Sequence, residues 1–422
     1  EFRRVLFRSA TLAPATRQLQ AVGIQRSRDL ATGCTMVAEP TASAGSSSEG
    51  RALRPRDRVI AALRAEASDR VPTGENAVDG YLVDRILGRE VLYNKGWEEM
   101  TALWDGRREE IVRDYGRVHV ELPLALDWDY VRVPVVPAAK DYSPPRMTGE
   151  YSWIDDDGYE VHFRPEAGNI VTKSVWPDLD INELPDPDAP YVIDDSQLEA
   201  VRHVVGEIGD SHFVIGRTPV DGSFPWQETV GMEAFLVRMV TDEPFVEKAV
   251  AVWVARSIAW INALLDAGVD AVMTTDDYSD NRGPIMGPAL FRRFVLPGIE
   301  RQCEAAHDRG GYFVKHTDGN LWAVLDDLVD IGIDAWHGIQ RNIGMDLAEL
   351  KRRYGGRLCL FGGVNTETMI TGSVHDVRDE VRTAIAATGG RGHVVTCSNV
   401  VPPGASFENY AAMREAVREF GA

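Results

Sequence analysis

Cysteine is scarce in this sequence: Cys34, Cys303, Cys359 and Cys397 are the only four in 422 residues. So few exclude a disulfide framework and point to a reducing cytoplasm. No apolar run approaches the roughly 18 residues of a membrane span, so no membrane role is expected. Positive charge is also in deficit, with 45 Lys and Arg against 65 Asp and Glu, a net charge of −20. Phosphate contact wants clustered Lys and Arg, which excludes nucleic acid and anionic lipid as main partners. A dinucleotide fingerprint, a phosphate loop, a serine nucleophile elbow and a zinc-protease motif are all lacking in any supporting context. There is no repeat of fixed period beyond an alternation of strands and helices.

What remains is an ordinary globular composition, 44% hydrophobic and 26% charged. The chain is long enough to bury a large core without staples. Residues 1–35 stand apart: six Arg face one Glu and one Asp. Arg4-Val5-Leu6-Phe7-Arg8-Ser9 resembles a translated sequencing adapter. This segment is expected to be non-native upstream sequence, with Met36 as the start. Residues 36–52 are small and polar and include the run Ser46-Ser47-Ser48-Glu49-Gly50. They are expected to be a disordered leader, because such a composition cannot bury a core.

From residue 53 to 422 the pattern predicts one α/β unit. Strands are expected at Val71–Gly74, Asp129–Val133, Phe213–Val220, Asp270–Thr275, Tyr312–Lys315, Asp334–Ile339, Leu358–Gly362 and His393–Cys397. Helical periodicity covers Arg54–Ala67, Pro288–Arg309, Leu321–Ile331 and Val374–Ala387. Eight strands alternating with helices predict a (β/α)8 TIM barrel. Tyr151–Val171, which alternates aromatic and polar residues around Asp155-Asp156-Asp157-Gly158, predicts an antiparallel hairpin inserted near the barrel mouth.

In such a barrel the chemistry sits at the C-terminal strand ends. Here those ends carry Asp276-Asp277, His316-Thr317-Asp318, His337, Asn365 and Cys397. His316 and Asp318 are two apart, so on extended backbone they face one way. With Cys397 they form a candidate zinc set of three ligands and an open position. The plainer reading is a His–Asp hydrogen bond holding a loop, with Cys397 a small buried hydrophobe. Asp276 and Asp277 face opposite ways, so only one aims into the mouth, as general base or substrate acceptor. A helix-capping carboxylate explains them equally well. Glu75 is either a mouth carboxylate or the start of a loop. Trp226 either walls the pocket or joins the core. His337 and Asn365 are expected to face substrate.

These residues resemble a family. His316-Thr317-Asp318-Gly319-Asn320, Ile331-Gly332-Ile333-Asp334 and Gly362-Gly363-Val364-Asn365 look like the uroporphyrinogen decarboxylase superfamily. So do Arg56-Asp57-Arg58-Val59 with Asp69-Arg70-Val71-Pro72, and Asp276-Asp277 with Gly283-Pro284. The resemblance spans about residues 53–421 and implies a (β/α)8 barrel. True decarboxylases of the superfamily carry arginines after the first strand. The matching stretch here, Pro72 to Tyr81, has no Arg or Lys and holds Glu75 and Asp79. An acidic mouth is therefore expected, a poor one for a polycarboxylate.

The corrinoid-linked methyltransferase branch also lacks those arginines. Its zinc comes from His-x-Cys and a later Cys. His316 matches the His and Cys397 the later Cys; Asp318 replaces the first Cys. The resemblance thus implies transfer of a methyl group between a small methylated substrate, such as a methyl ether, and corrinoid carried on a separate protein. Zinc on His316, Asp318 and Cys397 would assist. Asp276, Asp277 and His316 would be catalytic, and Glu75, Trp226, His337 and Asn365 would touch substrate. A homodimer is among the expectations. Two alternatives stay open: a decarboxylase of a small or tetrapyrrole carboxylate, and a non-catalytic binding barrel.

Overall fold

Short apolar runs rich in Val, Ile and Phe, each ended by glycine or polar residues, produce parallel strands buried on both faces. The computed structural model describes residues 52–422 apart from 166–169 and 174; the upstream and leader segments lie outside the described residues. In chain order the strands are β1 (Tyr130–Pro134), β2 (Arg146–Gly149), β3 (Ser152–Ile154), β4 (Glu160–Arg164), β5 (Ile170–Lys173), β6 (Phe213–Arg217) and β7 (Ala271–Thr275). They continue with β8 (Ser279–Asp280), β9 (Gly283–Pro284), β10 (Tyr312–His316), β11 (Ala335–Ile339), β12 (Cys359–Val364) and β13 (His393–Cys397). Seven of them form one parallel sheet in the order β1-β6-β7-β10-β11-β12-β13.

The expected strand at Val71–Gly74 is not formed. Thr73 makes a single parallel bridge to Val395, and the ladder stays open between β13 and β1. Pro72 has no N–H to give a ladder. Its carbonyl still accepts from Val395 N at 3.0 Å, while the Thr73 carbonyl accepts from Asp129 N at 2.6 Å. One short segment therefore touches both edge strands, so the sheet is curled into an open barrel. Asp129 pins this seam. Its carboxylate accepts from Thr73 N at 2.9 Å and from Arg58 and Arg70 at 3.1 and 2.7 Å.

Strand alternation sorts the side chains. Tyr130, Phe213, Ile215, Ala271, Met273, Val314, Ala335, Phe361 and Val394 fill the inner face. Val131, Val214, Val272, Phe313, Trp336 and Leu360 face the helices in a larger cluster. The longest helix, Glu243–Asp266, has the length and composition to cross a bilayer. In the fold it packs Phe245, Trp253, Trp260 and Ile261 into that cluster.

The insertion is larger than the expected hairpin: β2 to β5 make a four-stranded antiparallel sheet. Its Trp153, Val161 and Phe163 pack on Trp97, Met100 and Trp104 of the helix Trp97–Trp104. Among the described residues, none of it lines the cavity at the strand ends.

Candidate active site

A cavity of about 450 Å³ opens at the C-terminal ends of the strands. Ligand pockets fall in this range. Its wall includes Asn76, Asp79, Tyr93, Tyr115, Arg132, Arg217, Thr275, Asp277, His316 and Asn399. Period-two alternation explains the strand-borne members. Arg132 follows Tyr130, Arg217 follows Ile215, Thr275 follows Met273 and His316 follows Val314, each two residues beyond an inner-face side chain.

His316 ends β10 and is buried. Its Nδ1 lies 2.7 Å from Nδ1 of His337, its register partner on β11. Burial, aided by the charges of Lys315, Arg132 and Arg217, pushes the His316 pKa down to about 3. Burial likewise holds His337 well below the usual histidine range. Both rings are therefore neutral at physiological pH, and each keeps a lone pair. Nε2 of His316 is 4.0 Å from Asp277 Oδ1.

Asp318 lies just beyond. Its Oδ2 accepts from Asn399 Nδ2 at 2.7 Å, and its backbone N–H donates to Asp277 Oδ1 at 2.9 Å. Oδ1 of Asp318 is buried with no hydrogen-bond partner. Burial, then the neighbouring Asp277, raises its carboxyl to about 7. Gly338, with φ +111°, makes room for this carboxylate. A Cβ there would lie 2.3 Å from the Thr317 carbonyl and 3.0 Å from Asp318 Oδ1.

Donor atoms of Asp277, His316 and Asp318 all lie within 4.8 Å of one another. The residues fit a zinc ion. One imidazole nitrogen and two carboxylate oxygens are zinc donors, the arrangement leaves a side open to the cavity, and an orphaned Oδ1 points to a missing partner. His337 then stands behind His316, as hydrogen-bond partners of ligating histidines do.

Cys397 is not part of this group. On β13, Val394 belongs to the inner face, while Val395 and Cys397 pack outward with Val364, Val377 and Met413. Burial raises its thiol well above the usual value. Asp276 is not among the cavity-lining residues; burial first, then the charges of Asp221, Glu228 and Asp277 against that of Lys315, raise its carboxyl well above normal. Lys315 faces the same side, in a fully buried ion pair with Asp221. Glu75 is buried below the cavity lining, where it accepts from Thr396 Oγ1 at 2.7 Å and Cys397 N at 3.1 Å. Asn365 gives its Nδ2 to Glu380 at 2.8 Å, and Trp226 packs edge-on against Trp176; neither lines the cavity.

The expected acidic mouth needs correction. Arg132 and Arg217 both reach it, from β1 and β6 rather than from the stretch after Val71–Gly74. Arginines inside apolar strands were the signal: Tyr-Val-Arg and Phe-Val-Ile-Gly-Arg each place the guanidinium on the parity of an inner-face residue.

The uroporphyrinogen decarboxylase (URO-D) family pattern matches residues 154–420. The chain belongs to this family. Among its relatives is a uroporphyrinogen decarboxylase of Coxiella burnetii, 26% identical over 278 residues, which are 63% of this chain and 74% of the relative. A methylcobamide:CoM methyltransferase of Methanosarcina barkeri is 25% identical over 191 residues, 44% of this chain and 53% of the relative. Among solved structures, a methyltransferase from Methanosarcina mazei superposes with a TM-score of 0.63 at 21% identity, covering 87% of this chain and 99% of that one. That likeness shows the fold. The family members named are enzymes, both decarboxylases and methyltransferases.

Proposed function

We propose that this member of the URO-D family is a zinc-assisted methyltransferase. It would move a methyl group between a small methylated substrate, such as a methyl ether, and corrinoid on a separate protein. The observation that carries this reading is the group Asp277, His316 and Asp318: the first two line the cavity, and the third, just behind them, has a buried carboxylate oxygen with no partner. These three residues would hold the metal. Bound zinc supplies Lewis acidity to the heteroatom that bears the methyl group.

The chain's own residues do the rest. His337 fixes the ring of His316 through the Nδ1 contact, and Asn399 fixes Asp318. When the methyl group leaves, the heteroatom keeps the bonding electron pair and takes up one proton. Asp276 does not line the cavity, so that proton falls to a lining acid. Asp79 is one, and burial raises its carboxyl, so it holds a proton more readily than a free aspartate. In this reading the corrinoid is carried on a separate protein that docks over the open strand ends.

A second reading is favoured by Arg132 and Arg217: loss of CO2 from a small carboxylate, with a lining acid protonating the carbon left behind. Methyl transfer from methoxy compounds to free cob(I)alamin, followed by visible absorbance, separates the two. Transfer that disappears with a chelator and in His316→Ala supports the first. Release of CO2 that persists in chelator without any corrinoid supports the second and sinks the first.

A further inference from the structure

The cavity has two chemically different sides. Asp277, His316 and Asp318 come from the ends of β7 and β10; Arg132 and Arg217 come from β1 and β6. In register Arg132 faces Ile215 and Pro134 faces Arg217, so the two arginines are diagonal neighbours on one face of adjacent strands. Arg132 is anchored through Nε to the Asn76 carbonyl at 2.5 Å, and Arg217 through Nη2 to Thr275 Oγ1 at 3.2 Å. Among the described residues, neither makes an ion pair with a carboxylate. Burial and mutual repulsion lower Arg132 to about 10, and burial lowers Arg217. Two neighbouring, half-buried cations on one cavity wall are costly unless an anion meets them. Asp276 acts on Arg217 through its charge, and a cation would occupy Asp277 and Asp318; among the described residues no carboxylate bonds to either guanidinium.

We infer that Arg132 and Arg217 form a carboxylate-binding subsite, and that the substrate is a small carboxylic acid. Its carboxylate lies between the two guanidinium groups, and its body extends past Tyr93 and Tyr115 toward Asp277 and His316. Arginine suits this task because its planar fork meets both carboxylate oxygens. The inference deepens the proposed function by naming the substrate class, and it rests on that reading only for the cation opposite.

The test is calorimetric titration with benzoate and with benzamide, which have the same size and differ in charge. Benzoate is expected to bind wild type about tenfold or more tighter than benzamide. Arg132→Gln and Arg217→Gln are each expected to weaken benzoate about tenfold or more and to leave benzamide unchanged. His316→Ala, which removes the metal, is expected to keep the preference for the acid. Loss of that preference in His316→Ala, with the arginine variants unaffected, would put the carboxylate on the metal and overturn the subsite. Equal binding of acid and amide, or no binding of benzoate, also overturns it. Wild type alone gives a check independent of variant folding. Benzoate, and not benzamide, should slow phenylglyoxal modification of Arg132 and Arg217 as read by peptide mass spectrometry; equal modification with both overturns the inference.

Discussion

The Nδ1 atoms of His316 and His337 lie 2.7 Å apart, so one proton serves both nitrogens. If His316 offers Nε2 to a metal, its Nδ1 carries that proton and donates to His337. The second ring then fixes the tautomer of the first. Replacing His337 by Asn should weaken zinc about tenfold to a hundredfold, because such partners typically contribute that much. Competition against a chromophoric chelator measures the change; an unaltered affinity would remove His337 from the site.

Metal analysis by mass spectrometry separates the two candidate ligand sets. His316→Ala and Asp318→Ala should lose zinc, whereas Cys397→Ala should keep it. Cys397 packs outward among Val364, Val377 and Met413, away from the group formed by Asp277, His316 and Asp318. Zinc lost from Cys397→Ala would restore the thiol to the ligand set that the family resemblance implied.

Glu75 gives a pH signature. Burial raises its carboxyl from 4.5 to about 7. Between those values the folded chain keeps a proton that the unfolded chain releases. This contribution is therefore fully present below pH 4.5 and is lost as the pH rises toward 7. Glu75→Gln lacks it. The stability of wild type relative to the variant should fall by on the order of 3 kcal/mol across that window and stay flat outside it. Urea titrations of both proteins at several pH values measure this; a flat difference would contradict the burial of Glu75.

The open seam has its own test. Asp129 accepts from Arg58, Arg70 and the Thr73 amide, and its side chain is fully buried. Asp129→Ala leaves Arg58 with Asp69 and Arg70 with Asp127, and removes the acceptor of the buried Thr73 N–H. Loss of about 1–3 kcal/mol is expected, read from chemical denaturation. A loss within the range of ordinary surface substitutions, about 0.5 kcal/mol, would mean the seam does not need this carboxylate.

Much of the sheet is legible because β6, β7, β10, β11, β12 and β13 are short, apolar and followed by polar residues. β7, β10, β11, β12 and β13 lie where the pattern placed them. Spacing also paired His316 with Asp318, which the fold brings to one point with Asp277. The first strand was not legible as a bridge, because Val71-Pro72-Thr73 has strand-like residues but Pro72 cannot donate to a ladder. Cys397 is strand-terminal, and in the fold it shares the outward parity of Val395, not the inner one of Val394. Arg132 and Arg217 escape a loop motif because they sit inside apolar strands. The insertion concealed its full size because β2 and β5 lack the aromatic alternation of β3 and β4.

The donor set of Asp277, His316 and Asp318 contains no sulfur. Thiolate centres are vulnerable to peroxide, which oxidises the ligand and releases the metal. An imidazole with two carboxylates offers peroxide no thiolate to oxidise. A zinc site built on these three residues would therefore exchange soft-ligand affinity for resistance to thiol oxidation, with Cys397 packed on the outward face of β13.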